Sequence, residues 1–504
     1  MTASATAAGR PRLGLATKLA YAVGGTATYL KLRALSTFLV VFYNQVVGLP
    51  PQMVGAILMV VLVVDALIDP IVGQVSDNFR SRWGRRHPFM LAAALPYAIA
   101  FFLLWNPPQG WSDTALGVYL LVCVLAVRFF DTFFEMPHQA LAPELAYEYD
   151  ERTNLLAMRH FFQVIGGLGM TVLAYQVFLR ERPDGTGGVL AREGYFGYAL
   201  TGALIILGTI LISTLGTAKQ IPHLTPAPTR KITLKAMLVE VFHTLNNRSF
   251  LASAFAIMFI GVAVGARNGL EIYFGLYFWE LRQSQLATLA TISVIGGFIG
   301  VALAPIVSRY LGKKRGLITV FGTAVLVHIT PVSLRLLGLA PANGTPELLA
   351  LIYGEEIINA TFASATAILL AAVVADVVED AEVKTGRRSE GLLLSANGLF
   401  RKMISGAGVF IATSVLAFAS FPREAERGQV SDEVLRSLGL AYIPTIVGLY
   451  GIAIACLCAY GINRARHEEN LRTIAERAVK AAADEAGPGI GSGEAAPEPI
   501  PPRS

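Results

Sequence analysis

The chain has 504 residues, of which 54% are hydrophobic and 15% charged, against about 25% charged in soluble globular chains. With a mean hydropathy of +0.55, lipid rather than water is the expected solvent. The net charge of +6 does not point to nucleic acid, because the Lys and Arg fall in short loops between apolar runs, as membrane topology requires.

Met1 to Leu13 shows no small-residue cleavage site behind a short apolar core, so no removable signal peptide is expected. A bilayer core about 30 Å thick takes about 20 apolar residues per helix. That ruler places spans at 17–45, 51–76, 88–106, 114–145, 155–179, 195–217, 249–277, 284–310, 316–338, 346–375, 392–420 and 439–463. These runs are too long and too apolar for barrel strands, so the expected fold is all-α, with twelve transmembrane helices.

The first span carries Lys31 and Arg33. One of them is expected to pair with Asp131 or Glu135; both facing a cavity would favour an anionic solute. The second span holds Asp65 and Asp69, four residues apart and so on one face, followed by Pro70. Stacked carboxylates suit a metal cation or, through mutual repulsion, a proton; the blander alternative is that one pairs with a basic residue on another helix. The fourth span carries Arg128, Asp131 and Glu135, read as one stripe. Arg128 and Asp131 are placed for a local pair, and Glu135 for reaching across to Asp65 and Asp69.

In the seventh span Arg267 and Glu271, at i and i+4, are expected to pair. Glu355 and Glu356 in the tenth are adjacent, about 100° apart around the helix, so both are not expected to face one cavity centre. The eleventh holds Arg401 and Lys402, one of which would balance the second-span acids. Tyr29 and Tyr273 are the aromatic candidates for stacking on a sugar ring, the others being read as packing. His138 reads as a satisfied core histidine, His160 is isolated, and Cys123, Cys456 and Cys458 as packing residues.

Basic residues precede the first span and follow the even ones, among them Arg10, Arg12, Arg80, Arg82, Lys313 and Lys384, so both termini are expected in the cytoplasm of a bacterial inner membrane. The polar stretch 219–248, with three Pro, separates two six-helix units, 1–218 and 249–463, and a tail 464–504 is expected to be disordered distally. Gly73, Asp77, Arg82, Gly84, Arg85 and Arg86 after the second span are echoed by Gly300, Arg309, Gly312, Lys313, Lys314 and Arg315 after the eighth, which suggests related halves around a midplane site. There is no P-loop, HExxH, G-x-S-x-G or Cys/His metal spacing, so neither an enzyme nor a resident cofactor is expected.

The run from Asp65-Ala-Leu-Ile-Asp69-Pro70 through Ser76-Asp77 to Arg82-Trp83-Gly84-Arg85-Arg86-His87-Pro88 resembles the glycoside–pentoside–hexuronide:cation symporter family of the major facilitator superfamily. Two further blocks agree: Pro143-Glu144-Leu145 with Asp150-Glu151-Arg152-Thr153 and Arg159, and Ala375-Asp376 with Lys384-Thr385-Gly386-Arg387-Arg388, Glu390-Gly391 and Lys402. The resemblance implies two pseudo-symmetric six-helix bundles and a coupling cation, H⁺ or Na⁺, held by Asp65, Asp69, Thr132 and Glu135. It implies solute contacts among Tyr29, Lys31, Asp131, Glu135, Gln139, Arg159, Tyr273 and Lys402. It also implies a cytoplasmic gate of Asp77, Arg82, Gly84, Arg85 and Arg86 bracing the two halves. The family's galactoside-binding pattern has an acid where Tyr29 stands and a Trp where Gln139 stands, so galactoside specificity is not implied. Ile68 replaces an Asn that helps bind sodium, which tilts the coupling ion toward H⁺. The resulting expectation is a monomeric, lipid-embedded symporter of a small polar solute of sugar type: a glycoside, oligosaccharide or hexuronide. The alternatives are a cation-coupled transporter of a lipid-like solute, or a non-transporting membrane sensor.

Overall fold

A computed structural model describes residues 13–146, 149–182, 187–224, 248–385 and 407–459 of the chain. The first helix, α1, is a stack of pieces, Leu15–Val23, Gly25–Thr37 and Leu39–Val41, closed by a π turn at Phe42–Val46. It is followed by α2 (Pro51–Asn78), α3 (His87–Leu104), α4 (Asp113–Leu145), α5 (Tyr149–Leu173, with a π turn at Ala174–Phe178) and α6 (Glu193–Thr217). After a 3₁₀ turn at Ala218–His223 come α7 (Arg248–Tyr273, with a π turn at Phe274–Phe278), α8 (Gln283–Leu311), α9 (Lys313–Leu336), α10 (Pro346–Thr385), α11 (Ala407–Phe418) and α12 (Asp432–Ala459). Among the described residues, eight helices are long and apolar enough to cross a membrane, and Pro51–Asp65 and Ala407–Phe418 are shorter apolar helices. Helix is the expected solution where lipid offers no hydrogen bonds to the backbone.

Local sequence explains the punctuation. Pro51 opens α2, where the missing N–H costs nothing, and Ser112 caps α4 by accepting from the Ala115 N–H. The break in α1 was not anticipated by a single span at 17–45. A Cβ at Gly24 would lie 2.7 Å from His138 Nε2 and 2.7 Å from Ser213 Oγ, so glycine there lets α1 approach α4 and α6 closely.

Helices before residue 224 pack mainly on one another: α3 on α4 and α6, α1 on α5 and α6, α2 on α4. Those after 248 do likewise: α8 and α9 on α10, α7 and α9 on α12. The two groups meet where α7 touches α1 and α8 touches α5. Small residues set the closest approaches; a Cβ at Gly300 of α8 would lie 2.2 Å from the Thr361 carbonyl oxygen of α10. Large apolar side chains such as Phe298, Tyr310 and Phe418 point outward, a surface suited to lipid.

The groups are tied together at one end. Tyr273 OH donates to Asn44 Oδ1 at 2.8 Å, Tyr277 OH to Gln45 Oε1 at 3.2 Å, and Gln45 Nε2 to the Pro422 carbonyl at 3.0 Å. Arg423 pairs with Asp113 at 3.0 Å and Arg427 with Glu181 at 3.6 Å. The Tyr277–Gln45 bond joins the π turns of α1 and α7, and Tyr273, the residue before the α7 π turn, reaches Asn44 in the α1 π turn. Tyr273 is fully buried in this seam against Phe421, which corrects its reading as a solute-stacking aromatic.

Gly300→Leu should lower detergent-solubilised stability by about 1–3 kcal/mol through overpacking against α10. Gly322→Leu, where a Cβ meets nothing within 4 Å, should leave the melting temperature nearly unchanged; equal losses would contradict the packing assignment.

Candidate functional site

A buried charge in an apolar bundle needs a countercharge, and α4 supplies two ladders of them. Successive residues on a helix are turned by about 100°. Arg128 and Thr132 therefore face α2, while Asp131, Glu135 and Gln139 face α1 and α5.

On the α2 side, Arg128 Nη1 pairs with Asp65 Oδ2 at 2.8 Å, and one turn on Thr132 Oγ1 donates to Asp69 Oδ1 at 2.8 Å. The two acids thus share a face, as their spacing predicts, but Asp65 has taken the blander course of an ion pair. Its partner Arg128 was expected to serve Asp131. Asp65, Asp69 and Thr132 are all at least nine-tenths buried.

On the other side, Asp131 forms an ion pair with Lys31 of α1 and accepts from Thr28 Oγ1 at 3.2 Å and Tyr97 OH at 3.0 Å. Glu135 pairs with Arg159 of α5 at 2.5 Å, accepts from Thr28 at 2.8 Å, and is bonded by Gln139. Glu135 therefore does not reach Asp65 and Asp69: its stripe points to α5, and three donors occupy it. Arg159 turns inward whereas His160 is exposed. Thr28 and Tyr97 were missed, since neither carries a charge to draw notice; the spacing of Thr28 three residues before Lys31 was the available signal. His138 Nε2 donates to the Tyr21 carbonyl, 2.9 Å away, and the imidazole stacks on the Tyr21 ring. Tyr29 is half-buried beside Gly167 of α5. Arg401 and Lys402 lie outside the described residues, as does the side chain of Asp77.

The expected gate residues meet the end of α4. Arg85 Nη2 and Arg86 Nε both donate to Glu144 Oε1, at 2.5 and 2.6 Å, while Arg82 is exposed and Gly84 adopts φ +74°. Among the described residues, these bonds tie the α2–α3 loop to the end of α4 within one group of helices. Glu144 sits at the α4 terminus beside the loop, so it captures both guanidiniums locally.

A cavity opens between the two groups. Arg33 and Tyr175 line it from one side, and Arg267, Glu271, His328, Glu355, Glu356 and Tyr442 from the other. Arg267 pairs with Glu356 of α10 at 3.3 Å rather than with Glu271. Glu355 and Glu356 both line this one cavity, against the expectation from their 100° separation, because its wall is broad enough to take in both sides of α10.

Residues 20–464 match the family described as MFS/sugar transport protein. The chain belongs to it. An uncharacterized symporter of Bacillus subtilis, YnaJ, is 25% identical over 473 residues, covering 92% of this chain and 96% of its own. The isoprimeverose transporter of Lactiplantibacillus pentosus is 23% identical over 89% of this chain and 88% of its own, and a putative glycoside/cation symporter of Escherichia coli, YagG, 26% identical over 92% and 95%. Among solved structures, an inward-facing bacterial homologue of the lysosomal transporter Spinster superposes with a TM-score of 0.61 at 14% identity, covering 91% of this chain and 97% of its own. The nucleoside transporter NupG gives 0.57 at 15% identity, covering 89% and 99%. These likenesses show the major facilitator fold, and the protein is a membrane transporter rather than an enzyme.

Lys31→Met should destabilise the protein by about 3–5 kcal/mol, because it leaves Asp131 charged and buried without its cation. The double variant Lys31→Met/Asp131→Leu should recover most of that loss in the same thermal assay; additive losses would show that the pair is not the stabilising unit.

Proposed function

We propose that the protein is a secondary symporter of the bacterial inner membrane that couples cation entry to uptake of a sugar-type solute by alternating access. Its termini are cytoplasmic, and its working units are the bundles 1–218 and 249–463, joined by the loop 219–248. The observation that carries this reading is the buried Asp69–Thr132 bond in a chain of the MFS/sugar transport family. Relatives named for isoprimeverose, lactose and raffinose support a sugar.

In this mechanism Asp69 and Thr132 receive the coupling ion. Arg128 already meets the charge of Asp65, and Ile68 brings no side-chain oxygen; these two features favour H⁺ over Na⁺. Glu135, Gln139 and Arg159 form the polar edge offered to solute hydroxyls. Because Asp131 neutralises Lys31, the case for an acidic sugar weakens, and a neutral glycoside or oligosaccharide is the favoured substrate. The charged wall of the inter-group cavity likewise favours a polar solute over a lipid-like one. Cation on Asp69 strengthens solute binding, and by linkage the solute strengthens cation binding equally.

The first test is thermal stability of the purified protein against isoprimeverose, lactose, raffinose, hexuronides and lysolipids, in Na⁺ and in K⁺ at two pH values. A ligand at 100 times its Kd stabilises by about 2.7 kcal/mol; a neutral sugar should do so, with a pH dependence and no Na⁺ dependence. Stabilisation by lysolipids alone would contradict the substrate class. For the stabilising sugar, Asp69→Asn should abolish gradient-driven accumulation while sparing exchange, and full accumulation by this variant would sink the coupling role of Asp69.

A further inference from the structure

The cavity between the two groups of helices holds a titratable chain that the cation site on α2 and α4 does not use. His328 of α9 stands between two partners: its Nδ1 lies 3.0 Å from Glu355 Oε1 of α10, and its Nε2 lies 2.6 Å from Tyr442 OH of α12. Asn359 Nδ2 lies 2.8 Å from the same Glu355 oxygen and 2.9 Å from His328 Nδ1, and its Oδ1 accepts from Arg267 Nη1 at 3.4 Å. Arg267 in turn meets Glu356. The chain therefore runs across four helices, α12, α9, α10 and α7.

We propose that the His328–Glu355 pair is a proton-binding site, a second cation site of this transporter separate from Asp69 and Thr132. Three observations carry it. The first is hydrogen-bond accounting. Both Glu355 Oε1 and a bare His328 Nδ1 are acceptors, so their contact is a bond only with a proton between them. Without an added proton, Nδ1–H donates to Glu355 and Tyr442 O–H donates to Nε2. With one, the Glu355–Nδ1 proton stays, Nε2–H donates to the Tyr442 oxygen, and the phenolic hydrogen turns away. The two states differ by one solvent proton and one hydroxyl rotation, and neither strands the ring.

The second is charge. The groups facing the pair are Arg33 of α1, Tyr175 of α5, Arg267 and Glu271 of α7, Glu356 of α10 and Tyr442 of α12, while α8 contributes Leu286, Leu289 and Ala290. Among these described residues, with Glu355, three carboxylates face two guanidiniums. One proton on His328 removes the excess negative charge from a poorly solvated wall.

The third is size and access. The cavity volume is about 100 Å³, smaller than the roughly 150 Å³ cavity that takes up benzene. In this conformation it suits water and protons, not a sugar ring. Glu271 is exposed on its wall, and its carboxylate and the Arg33 guanidinium make no hydrogen bond or ion pair among the described residues, so solvent protons reach the pair. A proton bound here changes the charge of a surface shared by the two groups of helices, where a transporter alternating between two states is sensitive to it.

The test needs no solute, so its failure is separable from that of the symport reading. Protein labelled with ¹³C at histidine Cε1 is titrated in detergent; the chain has seven histidines, and His328→Gln assigns the signal. That signal should titrate between pH 5 and 8. Glu355→Gln should displace its midpoint by about one pH unit or more, Tyr442→Phe should move the same signal if His328→Gln does not fold, and Asp69→Asn should leave it in place. A His328 signal that stays constant across this range, or one indifferent to Glu355→Gln, would overturn the proposal.

Discussion

The ion pair between Lys31 and Asp131 is the interaction on which the rest of the structure depends. A lone charge within an apolar bundle costs several kcal/mol, and here the cost is met by bringing α1 against α4. Thr28 and Tyr97 complete the shell around Asp131, and Thr28 also serves Glu135, which Arg159 holds from α5. One connected set of bonds thereby positions α1, α3, α4 and α5. With α4 so rotated, Arg128 and Thr132 must face α2, and the Asp65 and Asp69 environments follow from that rotation.

Much of this was legible in the sequence, for identifiable reasons. Charges inside apolar runs are few, so Lys31, Asp65, Asp69, Asp131 and Glu135 stood out, and the pairing of Lys31 with Asp131 is one of the alternatives the sequence left open. The division of α4 into two ladders was not anticipated, because spacings of three and four residues both look like one stripe until the partners fix the rotation. Asp131 and Thr132 are neighbours in sequence yet point about 100° apart, and this separates Glu135 from the α2 acids. Tyr97 has no periodic signature as a donor, and Tyr273 reads the same whether it lines a cavity or seals a seam. Glu144 likewise drew the gate arginines inward through a contact no spacing rule reveals. Eight of the spans read from hydropathy are long apolar helices among the described residues, while the first is broken into pieces, with a close approach at Gly24.

The arrangement joins chemistry to motion. One end is sealed by Tyr273 on Asn44, Tyr277 on Gln45, and Arg423 on Asp113. Of these, the Arg423–Asp113 pair is exposed and individually weak, whereas the two tyrosine bonds are buried. In the proposed mechanism a cation on Asp69 would alter charge within one group of helices, and a proton on His328 would alter it in the other, across the cavity bordered by Arg33. Coupling through charge would let the proposed solute edge at Glu135 and Arg159 respond without touching the ion itself.

Symport is tested most directly by electrical recording from proteoliposomes on a solid support, with the stabilising sugar applied in the absence of any imposed gradient. Sugar entry accompanied by a cation should give a transient inward positive current, larger at a pH that favours protonation and insensitive to replacing K⁺ with Na⁺. Sugar movement into the same vesicles without any current would contradict cation-coupled entry and leave the protein a uniporter.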